Sequence, residues 1–345
     1  MNYITFNDVS QGDCIFIELG SDGGENIGLV DFGLKYIYSN DPESVIEYYT
    51  CHNHAVDFLR RNSIKQIDFI TVSHPHWDHC VGLMEVLNYC DEHGVSIKSL
   101  VCPFLLLDEY RHLNNKHVKS VEGSDEKYLS SKLYKLLLRI NDLRRRNVIE
   151  NLNWLGTDFS AIFDGGVSIR AVAPKSEELS AFANKTKNHP SLQRKYDDGD
   201  LINILSIALV IRFKDTLIIL TADTHIDIID RIWKEEILTN ILETTNLLIQ
   251  IPHHGSGDEN YFSDDVWNAI SKVSNKVMVV VSNGLHEGYG HPPIEVVNCM
   301  IDTCSFDFYA TNYGFGVKEK FAAVPTAKII GPHRFLFDGI SISKV

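Results

Sequence analysis

Ser73-His74-Pro75-His76-Trp77-Asp78-His79 places three imidazoles and a carboxylate within six residues. It follows Asp68-Phe69-Ile70-Thr71-Val72, an apolar run that predicts a buried strand. Imidazole and carboxylate are favoured ligands of zinc, manganese and iron. Along an extended segment alternate residues share a side, so His74, His76 and Asp78 point one way while His79 begins the next element. A loop mounted on a rigid strand is where such ligands are usually held. Solvated polar residues clustered by chance would not need that placement.

The same arrangement recurs along the chain. Asp31 follows Gly28-Leu29-Val30, and Asp223 follows Leu217-Ile218-Ile219-Leu220-Thr221-Ala222. His253 and His254 follow Leu247-Leu248-Ile249-Gln250-Ile251-Pro252, and His291 comes a short loop after Val277 to Val281. One histidine after one strand is usually structural. Five strands that each end in an acid or a histidine predict a shared site.

The rest of the chain supplies a frame for it. Strands are predicted at 2–7, 14–19, 27–31, 68–72, 100–104, 204–213, 216–220, 247–251 and 277–281, with helices at 52–63, 82–89, 126–148, 225–243 and 263–272. Two β-rich parts with an interruption between them predict two packed sheets with helices outside. Residues 105–165 read as a helical insertion, with Leu129, Leu133, Leu136, Leu137, Ile140 and Leu143 at helical spacing. The reading gives one domain over 1–317 and a C-terminal extension, 318–345, packed on it.

Composition narrows the function. The 345 residues are 44% hydrophobic and 23% charged, ordinary for a globular protein. No apolar run reaches membrane-spanning length, so no membrane role is expected. The start, Met1 to Asp8, lacks a basic segment leading into an apolar core, and seven cysteines are scattered without a C-x-x-C pair. Both features predict a reducing, cytoplasmic setting. Cys80 beside the metal motif reads as a small buried hydrophobe. A net charge of −14 disfavours non-specific nucleic-acid binding unless basic residues cluster, and Arg139, Arg144, Arg145 and Arg146 are the candidate cluster.

The 73–79 stretch resembles the H-x-H-x-D-H signature of the metallo-β-lactamase superfamily. Asp8-Val9-Ser10-Gln11-Gly12-Asp13, Leu29 to Gly33, Thr221-Ala222-Asp223, His253-His254-Gly255-Ser256 and Tyr289-Gly290-His291-Pro292 resemble, in order, the hydrolase domain of ComEC-type DNA-uptake proteins. That resemblance implies an α/β fold, an αββα sandwich, with two divalent cations at the strand ends: zinc first, manganese or iron as alternatives. It implies His74 and His76 on the first metal, Asp78, His79 and His291 on the second, and Asp223 bridging. A third protein ligand for the first metal lacks a motif among His112, His117 and His189. Asn203-Ile204-Leu205-Ser206 matches an Asn-x-x-Ser pattern instead; His253 or His254 supplies the ligand, or the position stays open. Asp31, Asp13 and Ser256 are expected to buttress the site. Asp78 is a candidate acceptor of a proton from water and His254 a candidate general acid.

These features predict a metal-dependent hydrolase, first a phosphodiesterase or nuclease acting on a nucleic acid or nucleotide. The alternatives are an ester, lactone or cyclic-nucleotide hydrolase, and a subunit of a multi-protein system, anti-phage defence among them, that docks a protein partner through the helical insertion.

Overall fold

The computed structural model describes residues 1–10, 12–20, 26–35, 52–104, 125–187, 202–238, 246–257, 267, 270–271, 276–284, 290–321 and 329–345. Gln11, His112, His117, His189, Tyr289, the polar loop 188–200, the start of the predicted insertion and most of the predicted helix 263–272 lie outside them.

Strands β1 (Asn2–Phe6), β2 (Ile15–Leu19) and β3 (Asn26–Val30) form an antiparallel meander. After α1 (His54–Arg61) come β4 (Gln66–Ile67) and β5 (Phe69–Thr71), and β5 runs parallel to β3. The short α2 (Trp77–Cys80) and α3 (Leu83–His93) lead to β6 (Ser96–Val101), parallel to β5. Helix α4 (Asp125–Arg145) returns the chain to β7 (Ile149–Asn153), parallel to β6. The second sheet begins with β8 (Ser160–Phe163) and β9 (Val167–Ala173). Helix α5 (Ser176–Lys187) precedes the hairpin of β10 (Ala208–Phe213) and β11 (Thr216–Leu220). Helix α6 (Ile226–Ile232), β12 (Asn246–Gln250), β13 (Lys276–Val281), α7 (Ile294–Asn298) and β14 (Asp307–Ala310) follow, with β11 to β14 mutually parallel. After α8 (Phe315–Lys320), strands β15 (His333–Phe337) and β16 (Ile342–Lys344) return to the first sheet beside β1.

Alternation along the strands assembles the layers. Ile17, Val30, Leu209, Ile211, Ile218, Leu220, Leu248, Met278 and Val280 share one buried cluster between the sheets. Their neighbours Phe16, Leu29, Val210, Leu217, Ile219, Leu247, Ile249 and Val279 belong to the cluster that the helices cover. Because side chains alternate across a strand, burial of both sets means each sheet is covered on both faces. The result is the predicted αββα sandwich.

Two sequence expectations change in detail. The 105–165 stretch is helical only in part: α4 is the crossover between parallel β6 and β7, and β8 lies in the second sheet. Strand β7 reads weakly because only Ile149 is fully buried in Ile149-Glu150-Asn151-Leu152-Asn153. The 318–345 segment is not merely laid on the domain. Its strands extend the first sheet past β1, and Phe335 and Phe337 enter the inter-sheet core. Without them β1 would be an open edge.

Helix α4 spends its apolar stripe internally. Leu136, Leu137, Ile140 and Leu143 are buried in the helix-side core. Arg139 of the helix binds Asn88 and Asp91, and Arg146, just past its end, binds Asp91 and Asp142. These four apolar side chains and these two arginines are used within the chain. The helix instead reaches the metal loop, with Lys132 Nζ 4.2 Å above the Trp77 ring. No helix among the described residues is long and apolar enough to cross a membrane.

Candidate metal centre

The loops after β3, β5, β11 and β12, with the β1–β2 turn, meet at one edge of the sandwich. His74 Nε2, His76 Nδ1 and an Asp223 oxygen gather there, and Asp78, His79 and His254 gather beside them. The two groups meet at Asp223. Its Oδ2 lies 3.8 Å from His74 Nε2 and 3.7 Å from His253 Nε2, while its Oδ1 lies 3.4 Å from both His79 Nε2 and His254 Nε2.

Donor spacing tests whether cations fit. Two ligand atoms at about 2.0–2.1 Å from one cation stand roughly 2.9 Å apart at octahedral angles and roughly 3.4 Å apart at tetrahedral ones. His74 Nε2 and His76 Nδ1 are 2.9 Å apart, and His79 Nε2 and His254 Nε2 are 3.3 Å apart. Asp78 Oδ2 is 3.3 Å from His254 Nε2 and 3.8 Å from His79 Nε2. Asp223 Oδ1 is buried with no hydrogen-bond partner. These residues therefore fit divalent cations: an orphaned carboxylate oxygen and converging ring nitrogens are costly in a core unless a cation satisfies them.

Neighbouring groups fix which nitrogen carries the lone pair. His254 Nδ1 donates to the Ser282 carbonyl at 2.7 Å, an acceptor only, so its Nε2 is the free donor atom in the neutral ring. His79 Nδ1 donates to Asp31 Oδ2 at 2.8 Å. The Ser73 hydroxyl donates to Asp31 Oδ2 at 2.7 Å, so its oxygen accepts from His74 Nδ1 at 3.0 Å. Asp31 Oδ1 accepts the Ser73 backbone N–H at 2.7 Å. Asp31 thus contacts His79 directly and reaches His74 through the Ser73 hydroxyl.

Electrostatics point the same way. Burial pulls the His254 imidazole down, but the Asp223 and Asp78 carboxylates outweigh it and lift the group to about 9. Burial opposes charge on His79 as well, yet Asp223, Asp78 and Asp31 raise it well above the ordinary histidine value. Burial favours neutral Asp223, but His254, His79 and His253 drive it well below the usual carboxylate range; His79 and His254 do the same to Asp78. Protons on these rings stand in for a cation. His74 and His76 are held down by burial, reinforced for His74 by the rings of His79 and His76, and so stay neutral and ready to ligate.

Two of the sequence-predicted residues stand apart from their expected neighbours. His254, expected as the general acid, stands among Asp78, His79 and Asp223. His291, expected beside them, instead lies near His253, ring centroids 5.8 Å apart, and enters none of the four donor groups among the described residues. The cause is local. His253 and His254 both have left-handed backbones, φ 49° and 51°. That turn splays the adjacent rings, 6.4 Å apart and inclined by 60°, so each faces a different oxygen of Asp223. Asn203 and Ser206 are buried, with Asn203 Oδ1 and Ser206 Oγ lacking hydrogen-bond partners, and the next residue, Ile207, bonds the Ser73 carbonyl. Ser256 is fully buried, its N–H on the His253 carbonyl.

Backbone strain collects here. Asp31 and Ala222 also have left-handed φ, 57° and 46°, a conformation that costs non-glycine residues of order 1–3 kcal/mol and clusters at functional sites. Gly12, at φ 120°, leaves room for the metal loop: a Cβ there would lie 2.3 Å from the Asp78 carbonyl oxygen. Gly12→Ala is expected to displace Asp78 and to cost about 2–3 kcal/mol. Thermal melts and metal content of the variant check this, and an unchanged metal content would refute it.

Sequence reading missed Gln250, Ser73 and Ser282. The signal for Gln250 was present: an amide inside the apolar run Leu247 to Ile251 must be hydrogen-bonded once buried.

Residues 7–158 match the family model of the metallo-beta-lactamase superfamily. That segment, less than half of the chain, is similar to the metallo-beta-lactamase superfamily. Divalent metals are the usual guests of this fold, and the matched segment contains His74, His76, Asp78 and His79. Among solved structures the chain is similar to unliganded yeast PDE1, at 12% identity over 90% of this chain and 97% of that one, TM-score 0.46. It is also similar to a diphosphatase of the PhnP family, at 10% identity over 81% and 86%, TM-score 0.36. A third is a protein of unknown function from Enterococcus faecalis V583, at 13% identity over 94% and 68%, TM-score 0.35. No curated protein matches.

Proposed function

We propose that the protein is a hydrolase that holds two divalent cations and cleaves phosphodiesters. The observation that carries this is the sharing of Asp223: one carboxylate presents each oxygen to a separate set of nitrogen donors. In this reading His74 and His76 would hold the first cation with Asp223, His253 Nε2 standing 3.7 Å from the Asp223 Oδ2 atom as a further donor, and Asp78, His79 and His254 would hold the second. Zinc, manganese and iron all suit nitrogen and carboxylate donors without thiolate. Bound there, the pair would acidify water and neutralise charge on a phosphoryl group.

The chain's own residues do the rest. Asp31, the Ser73 hydroxyl and the Ser282 carbonyl keep Nε2 of three rings available. Asp78, with 31% of its side chain exposed, and His253, with 19%, mark the open side of the site. His291, beside His253, would be the candidate to hand a proton to a departing oxygen. The sequence order of Asp13, Asp223, His253-His254 and His291 supports a ComEC-like member of the superfamily.

A second reading keeps the chemistry and shrinks the substrate to a nucleotide or a small ester. The net charge of −14 and the pairing of Arg139 and Arg146 favour it over a polymer. Metal analysis followed by hydrolysis of bis-p-nitrophenyl phosphate, dinucleotides, DNA and a lactone tests both. Two equivalents of metal and phosphodiester turnover are expected. Turnover of the lactone alone would exclude the first reading.

A further inference from the structure

Gln250 closes β12 at 2% exposure, and its amide is used at both ends. Its Oε1 accepts the backbone N–H groups of Thr221 at 3.0 Å and Ala222 at 3.1 Å. Its Nε2 donates to Asp13 Oδ2 at 2.7 Å, and its main-chain carbonyl accepts the Thr221 hydroxyl at 3.0 Å. The Thr221-Ala222 turn is the one that delivers Asp223, through the left-handed Ala222. The same turn is tied to the histidine loop, because the Ala222 carbonyl accepts the His253 N–H at 2.9 Å.

Asp13 is the other pole of this link. It comes from the first sheet's β1–β2 turn, and Gln250 comes from the second sheet. Asp13 is buried, its Oδ1 lacks a hydrogen-bond partner, and its carboxylate clusters with Asp223 and His254 on one side and with Asp31 and His79 on the other. One neutral amide therefore joins the turn that carries the bridging carboxylate to an acid from the facing sheet.

We infer that Gln250 is a positioning residue: it sets Asp223 against Asp13 across the two sheets and thereby fixes the geometry of the second cation position. The inference rests on the two-cation reading. An amide is the group this position needs. It accepts two N–H groups that would otherwise be orphaned at a strained turn, and it donates to a carboxylate without adding a second negative charge. Glutamate keeps the acceptor face but loses the donor, and leucine loses both.

Titration of the metal-free full-length protein with cobalt(II), followed by its visible absorption, tests this. Gln250→Leu and Gln250→Glu are each expected to weaken the second equivalent by about 10–100-fold and to alter its band shape. Far-UV circular dichroism checks that each variant is folded. Wild-type cobalt affinity and spectrum in a folded Gln250→Leu, even one with a lowered melting temperature, would overturn the inference. If Gln250→Leu does not fold, the nearly isosteric Gln250→Glu decides on the same readout. If the wild-type protein takes up one equivalent only, the two-cation reading falls, while the effect of Gln250→Glu on that one affinity still settles whether the amide positions the site.

Discussion

Asp223→Asn is expected to empty both cation positions and to lower hydrolysis by on the order of a thousand-fold or more. The substitution keeps the side chain's size but replaces one oxygen with an amide nitrogen that carries two hydrogens. Whichever way the amide turns, one of the two donor sets then faces N–H instead of a lone pair. Oδ2 serves the His74 and His253 side, and Oδ1 serves the His79 and His254 side, so there is no harmless orientation. The metal-free protein suffers as well. Asp223 is held ionised by His254, His79 and His253, and removing one partner of a buried charge pair costs about 3–5 kcal/mol. A drop in melting temperature without metal, together with loss of metal by elemental analysis, is the expected pair of results. A variant that still carries two equivalents of metal would remove Asp223 from the bridging position and the two-cation reading with it.

The sequence was most legible where chemistry and periodicity coincide. Strand β5 and the stretch His74 to His79 are nearly contiguous, so both a core strand and half of the candidate ligands could be read from one segment. Asp223 was legible for a similar reason: it ends a strand whose residues alternate between two buried faces. The partners of His253 and His254 were not legible. Which ring faces which oxygen depends on two left-handed φ angles that no side-chain pattern encodes. Strand β7 was lost because a strand with one fully buried residue has no period to find, and the sheet role of β15 depends on pairing with β1, more than 300 residues away in sequence. Gln250 shows the intermediate case. Its burial was predictable from Leu247 to Ile251, but its partners Thr221, Ala222 and Asp13 are set by the meeting of two sheets.

Metal affinity is expected to rise by roughly tenfold per pH unit for each proton displaced, because cations and protons compete for the same nitrogens. His254 is lifted to about 9 from an ordinary 6.5, and His79 is lifted well above it, by Asp223 and Asp78. A raised histidine stabilises the metal-free fold fully below about 6.5 and loses that contribution as pH climbs through the folded value. The depressed carboxylates of Asp78 and Asp223 have the opposite sign: their contribution is present above about 4 and disappears as acid protonates them. The metal-free protein should therefore be most stable between about pH 4 and 6.5 and weaken toward pH 9. The metal-loaded protein should hold its stability over the same rise, since fewer protons remain on the rings for each cation to displace. The gap between loaded and metal-free melting temperatures should widen steadily from about pH 6 to pH 8. Isothermal titration in two buffers of different ionisation enthalpy would count the protons released, with at least one expected per second-position cation. An affinity that stays flat across that interval would mean that neither His79 nor His254 gives up a proton to the metal, and the second cation position would have to be sought on other nitrogens.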